Sequence, residues 1–130
     1  AAVFALSSPA EAQEWVCGRT GGSHAALKQA HADFNKLFGA RRLTAAGNQC
    51  YYSMCKSYVF GFCNTSSRTR TEKSNHRNNA KDESPGRGSS CAISFNAPAD
   101  GHLLYRFSHT KDIKICEGKC GLYKNDVRRC

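Results

Sequence analysis

Three sets of residues in this chain of 130 could do chemistry. The first centres on His109, in the stretch Cys91 to Cys116, CAISFNAPADGHLLYRFSHTKDIKIC. Histidine is the side chain most often used to move a proton in catalysis, and the carboxylates that could serve it, Glu72 and Glu83, stand in a separate segment. The second set is cationic. Arg68, Arg70, Lys73, Arg77, Lys81 and Arg87 fall within residues 64–90, with Lys111 further on, and such charges can neutralise phosphates. Tyr51 adds an aromatic face of the kind that stacks on a nucleotide base, although a strand rich in Tyr and Phe is ordinarily core. The third set is the eight cysteines. Their even number argues for disulfides formed in an oxidising compartment. A zinc site would want close ligand pairs, and Cys50 to Cys55 and Cys116 to Cys120 are spaced too widely. No metal and no cofactor is expected.

The length allows one domain with one hydrophobic core. Lys and Arg outnumber Asp and Glu by 19 to 10, a formal charge of +9 that favours polyanions as partners. Residues 1–13, AAVFALSSPAEAQ, carry no basic residue. They read as the end of a signal peptide, with Ala10-Glu11-Ala12 in the small-x-small form of a cleavage site, or as a disordered tail. Residues 14–130 then form the domain. Nothing approaches the roughly 18 to 20 apolar residues of a membrane span, so a secreted, soluble monomer is expected.

The elements that must position these residues follow from periodicity. Trp15-Val16-Cys17 is apolar enough for a short edge strand. Ser23 suits a helix N-cap, and Leu27, Ala30, Phe34, Leu37 and Phe38 then recur at helical spacing until Gly39, which suits the left-handed C′ position. His24 and His31 lie on or beside this helix, in solvated or capping roles. After a loop at 41–49 the pattern becomes extended. Cys50 to Cys55 and Ser57 to Cys63 predict two strands turning near Lys56, with Gly61 marking a bulge or a close backbone approach. Residues 64–90 contain no apolar residue beyond Ala80 and Pro85 and read as one long basic loop, functional or merely solvated. Two further strands flank a turn at Asn96 to Gly101, and a short third strand closes on Cys116. Leu103, Tyr105, Phe107 and His109 share a face by period two, which places His109 on an apolar face unless the strand bulges or stops first. Glu117 to Cys130 reads as a polar tail wrapped over the domain.

Helix, then strands, then FSHTKDIKIC is an order that resembles the fungal guanyl-specific ribonuclease superfamily, including ribotoxins of the sarcin type. Ser84-Pro85-Gly86 before Ala92-Ile-Ser-Phe-Asn96 resembles the loop and strand preceding the catalytic hairpin. His109-Thr110-Lys111 with Ile115-Cys116 resembles the ribotoxin segment in which a catalytic histidine precedes a disulfide cysteine. Trp15-Val16-Cys17 is similar to the aromatic-x-Cys entry of ribotoxins and of ribonuclease-like effectors secreted by plant-pathogenic fungi.

The resemblance implies an α+β fold, disulfide-stapled and microbial-ribonuclease-like, with one N-terminal amphipathic helix packed on a twisted antiparallel sheet. It pairs Cys17 with Cys116, one restriction on the 105 pairings that eight cysteines allow; Cys63 with Cys91 is the second expected bridge, joining adjacent strand ends. RNA cleavage in the family uses a strand Glu as base, the late His as acid and a strand Arg as charge stabiliser, helped by an earlier His and a Tyr. His109 takes the acid position. Val59 or Phe60 stands where the Glu would be, the strand starting at Ala92 brings no Arg, and no His falls in Cys50 to Cys55. The expected function is therefore that of a secreted, catalytically deficient effector, a virulence or avirulence factor that binds host RNA or a host protein such as an immune receptor. Arg68, Arg70, Lys73, Arg77, Arg87, Lys111 and Tyr51 are the candidate RNA contacts. The alternatives are an active ribonuclease or ribotoxin, and a basic antimicrobial or killer-toxin-like protein acting at membranes.

Overall fold

A computed structural model of the chain describes residues 14–95 and 102–130. The leader or tail expected at 1–13 and the turn expected at Asn96 to Gly101 lie outside the described residues. Ser23 caps the first helix, α1 (His24–Phe38), its Oγ accepting from the Ala26 N–H at 3.0 Å. Gly39 ends it with φ 90°, and its N–H donates to the Asn35 carbonyl. The predicted apolar stripe is buried at Leu27, Ala30 and Phe34. His31 is buried with it, edge-on to Phe60, rather than solvated.

The architecture is mixed α/β. A seven-stranded sheet runs in the order β1-β6-β7-β4-β3-β9-β8. Its strands are β1 (Val16–Thr20), β3 (Gln49–Cys55), β4 (Tyr58–Asn64), β6 (Gly88–Ile93), β7 (Leu103–His109), β8 (Gly118–Cys120) and β9 (Tyr123–Arg129). β1 is an edge strand, as its sequence predicts, and β3 and β4 turn at Lys56, whose φ is 57°. On β4 and β7 the alternate residues Phe60, Phe62, Leu103, Tyr105 and Phe107 pack beneath α1 with Trp15 and Phe34. The other face carries a smaller core of Cys50, Tyr52, Val59 and Cys63.

Three expectations about the sheet are corrected. It is not purely antiparallel, because β9 lies parallel to β3. Glu117 to Cys130 is not a wrapped tail but supplies β8 and β9; Val127 packs on the smaller core while its charged neighbours point away from it. The third strand expected before Cys116 is instead a 3₁₀ turn at Thr110–Asp112 followed by residues without regular structure.

The long loop is corrected as well. Residues 64–90 hold β5 (Arg70–Thr71), paired with β2 (Thr44–Ala45), and a second helix, α2 (His76–Asp82). Their anchors are polar, so an apolar pattern cannot reveal them. Fully buried Asn64 donates through Nδ2 to the carbonyls of Ala45, Ala46 and Arg68. Ala80 plugs the core from α2, and its carbonyl accepts from Trp15 Nε1 at 3.0 Å.

The four disulfides are Cys17–Cys91, Cys50–Cys63, Cys55–Cys130 and Cys116–Cys120. Neither expected bridge, Cys17–Cys116 or Cys63–Cys91, forms. Cys17 stands directly opposite Cys91 on β1 and β6, and Cys50 opposite Cys63 on β3 and β4, with Cα–Cα distances of 4.0 and 4.1 Å. Register decides the pairing, and Cys116 lies on the other face of the sheet beside Cys120. Four disulfides suit an oxidising compartment. No described helix is long and apolar enough to cross a membrane.

Candidate functional site

His109 ends β7 opposite Tyr58. Its ring meets the Tyr58 ring edge-on at 5.0 Å between centroids, and Tyr58 in turn stacks on Phe107. The His109 Nδ1 accepts from the Lys111 N–H at 3.2 Å, so the ring caps the 3₁₀ turn that follows it. The His109 N–H donates to Ser89 Oγ, and Ser89 donates to Asp112 Oδ2, each at 2.9 Å. The ring is half-buried, at the margin of the apolar face that period two predicts.

A base and a charge stabiliser would have to come from the neighbouring strands. Val59 and Phe60, on the strand expected to bring the Glu, are fully buried apolar residues. Arg106 stands on β7 itself, but its side chain joins Tyr52 on the opposite face of the sheet. Among the described residues no carboxylate or guanidinium is hydrogen-bonded to the His109 ring.

Glu72, a candidate replacement base, is 2% exposed. Its carboxylate accepts from Arg77 Nε at 3.0 Å and Nη2 at 2.6 Å, from the Tyr105 hydroxyl at 2.5 Å and from the Leu43 N–H at 3.0 Å. Every lone-pair direction is used, and none faces His109. Burial and the adjacent Glu72 charge push the Tyr105 phenol far above its ordinary pKa, which keeps it the donor in this pair.

The cationic candidates divide. Arg77 is buried and structural: besides Glu72 it donates to Asn35 Oδ1 and to the carbonyls of Gly39 and Arg41, and its guanidinium lies 4.9 Å from the Phe34 ring centre. Tyr51 is half-buried, its ring against Phe38 and its hydroxyl donating to the Thr44 carbonyl. Arg68, Lys73, Arg87 and Lys111 are exposed and Arg70 is half-buried.

These residues do not make one surface. Arg68 and Arg70 adjoin the Asn64 end of β4 through the Asn64 amide and the β2–β5 pair. Lys111 lies in the turn at the Tyr58 end, and Arg87 is tied there through Gly21, whose N–H reaches the Arg87 carbonyl and whose carbonyl accepts from Tyr58. Seven-residue β4 separates the two groups by roughly 20 Å.

Sequence reasoning passed over Arg41 and Arg42. They follow α1 and, with Lys73, Ser74 and Asn75, line an open cleft of about 500 Å³ that the Glu72–Arg77 pair also borders. Adjacent arginines just past a helix end were the available signal, and the pair lay in a segment classed only as a loop. Among the described residues one group of ligand-type atoms comes within 4.8 Å, Asp33 with Cys55 and Cys130. Its two sulfurs are joined in a disulfide, so a single carboxylate remains as a metal donor.

No family model, curated protein or solved structure matches the chain.

Proposed function

We propose that the protein is a secreted, ribonuclease-like effector that does not cleave RNA and acts by binding it, with Arg41, Arg42 and Lys73 as the principal phosphate contacts. The observation that carries the reading is the closed Glu72–Arg77–Tyr105 network. It withdraws Glu72 and Arg77, a candidate base and a candidate charge stabiliser, while Arg41, Arg42 and Lys73 line the open cleft beside it. Losing a general base costs on the order of 10² to 10⁴ in rate, and losing a charge stabiliser costs a comparable factor. The charge of +9 supports a polyanionic partner, and four disulfides support an extracellular life.

The test is a filter-binding titration of the full chain with single-stranded RNA at low salt, followed by product analysis on a gel. Binding without cleavage is the expected result. Cleavage abolished by His109→Ala would instead establish an active ribonuclease. Absence of RNA affinity would leave a host protein as the partner, and dye release from anionic vesicles would point to a membrane-active toxin.

A further inference from the structure

The sheet face away from α1 carries a site of different character. Residues 113–116 cross this face as a strap, with Ile113 and Ile115 packed against the smaller core. Between strap and sheet lies a cleft of about 430 Å³, within the usual range for small-molecule sites.

Its polar groups are few. Arg106 on β7 stands between Ala92 on β6 and Gly61 on β4, neighbours too small to cover it. A Cβ at Gly61 would come within 2.4 Å of the Tyr52 ring, so glycine is what lets that ring lie across β4. The Tyr52 hydroxyl thereby sits 3.2 Å from Arg106 Nη1. Its proton has only the Cys63 sulfur at 3.4 Å, a weak acceptor already in a disulfide. Burial holds the Tyr52 phenol above its ordinary pKa, so that proton stays available as a donor. Lys114 adds a second cation from the strap, and among the described residues no Asp or Glu lines the cleft. Asn125, also in the lining, donates through Nδ2 to the Cys116 carbonyl, while its Oδ1 is buried without a hydrogen-bond partner.

We infer that this cleft binds a small amphipathic organic anion. Its oxyanion, a carboxylate or a phosphate monoester, is held by Arg106, Lys114 and the Tyr52 hydroxyl. Its apolar body lies against Leu104, Ile113 and Ile115. The site is separate from the Arg41–Arg42–Lys73 cleft, and the inference does not depend on RNA binding.

The experiment titrates the full, oxidised chain with benzoate, phenyl phosphate and aniline, read by calorimetry and by amide shifts in NMR spectra. Saturable binding of the oxyanions, with shifts at Arg106 and residues 113–116 and none from aniline, is expected. The tighter of the carboxylate and phosphate arms identifies the oxyanion. Arg106→Gln weakens binding at least tenfold. Lys114→Gln, at an exposed position that leaves the fold intact, weakens it several-fold. No saturable binding of either oxyanion at millimolar concentration, or wild-type affinity in Lys114→Gln together with equal binding of aniline, would overturn the inference.

Discussion

Arg77 and Glu72 form a two-pronged ion pair inside the protein, with side chains 7% and 2% exposed and Arg77 Nη2 2.6 Å from Glu72 Oε1. Together with Tyr105 they join α2 and the segment after β5 to the core under α1. Removing one partner leaves the other charged and desolvated. Arg77→Ala or Glu72→Ala is therefore expected to lose about 3 to 5 kcal/mol of stability, measured as the midpoint shift in chemical unfolding. A loss within 1 kcal/mol would mean that the pair is solvated and open to rearrangement.

His31 gives a pH dependence of definite sign. Burial, reinforced by Lys81 and Arg77, lowers its pKa below the ordinary 6.5. The unfolded chain then takes up a proton at a higher pH than the folded one. This contribution to stability is complete above about 6.5 and declines as pH falls toward the folded-state value. Unfolding midpoints measured over that interval should fall with acidification in the wild type, and the slope should flatten in His31→Phe. An unchanged slope would place the proton uptake elsewhere.

The disulfides should differ in worth because they close loops of different length. Cys55–Cys130 spans 75 positions and Cys116–Cys120 only 4. In the chain-entropy model these contribute about 4 to 5 and about 2 kcal/mol respectively. Replacing each pair by Ala and comparing denaturation midpoints checks the order; equal losses would contradict it.

At the end of β7, His109→Ala is expected to leave RNA affinity unchanged, because the ring caps a local turn and lies apart from the Arg41–Arg42–Lys73 cleft. Its expected cost is about 1 kcal/mol of stability, in line with the loss of a side-chain cap. Titration of this variant with RNA, alongside its unfolding curve, separates the two roles.

Much of the framework was legible in the sequence because it follows periodic or punctuating signals. Ser23 and Gly39 bounded α1 and Lys56 marked the β3–β4 turn, whereas Gly61, expected to mark a bulge or a close backbone approach, lies in regular pairing and makes room for the Tyr52 ring. Residues 64–90 were illegible for the opposite reason: Asn64, Glu72 and Arg77 do there what Leu or Val does elsewhere, and composition alone presents such residues as solvent-facing. Arg77 accordingly passed for a phosphate contact. The disulfides failed because pairing depends on which cysteines face each other across a ladder. The strand order that sets Cys17 against Cys91 is a long-range fact that no local pattern encodes.

The central claim is RNA binding without cleavage at the cleft of Arg41, Arg42 and Lys73, and the most direct measurement is the salt dependence of RNA affinity in the wild type and in the triple Gln variant. Each lost phosphate contact reduces the slope of log affinity against log salt by about 0.7 on a single strand. The account predicts a slope shallower by about 2 in the variant, much weaker binding at low salt, an unchanged unfolding midpoint and intact RNA throughout. Wild-type affinity and slope in the triple variant, or RNA fragments produced by the wild type and not by His109→Ala, would contradict it.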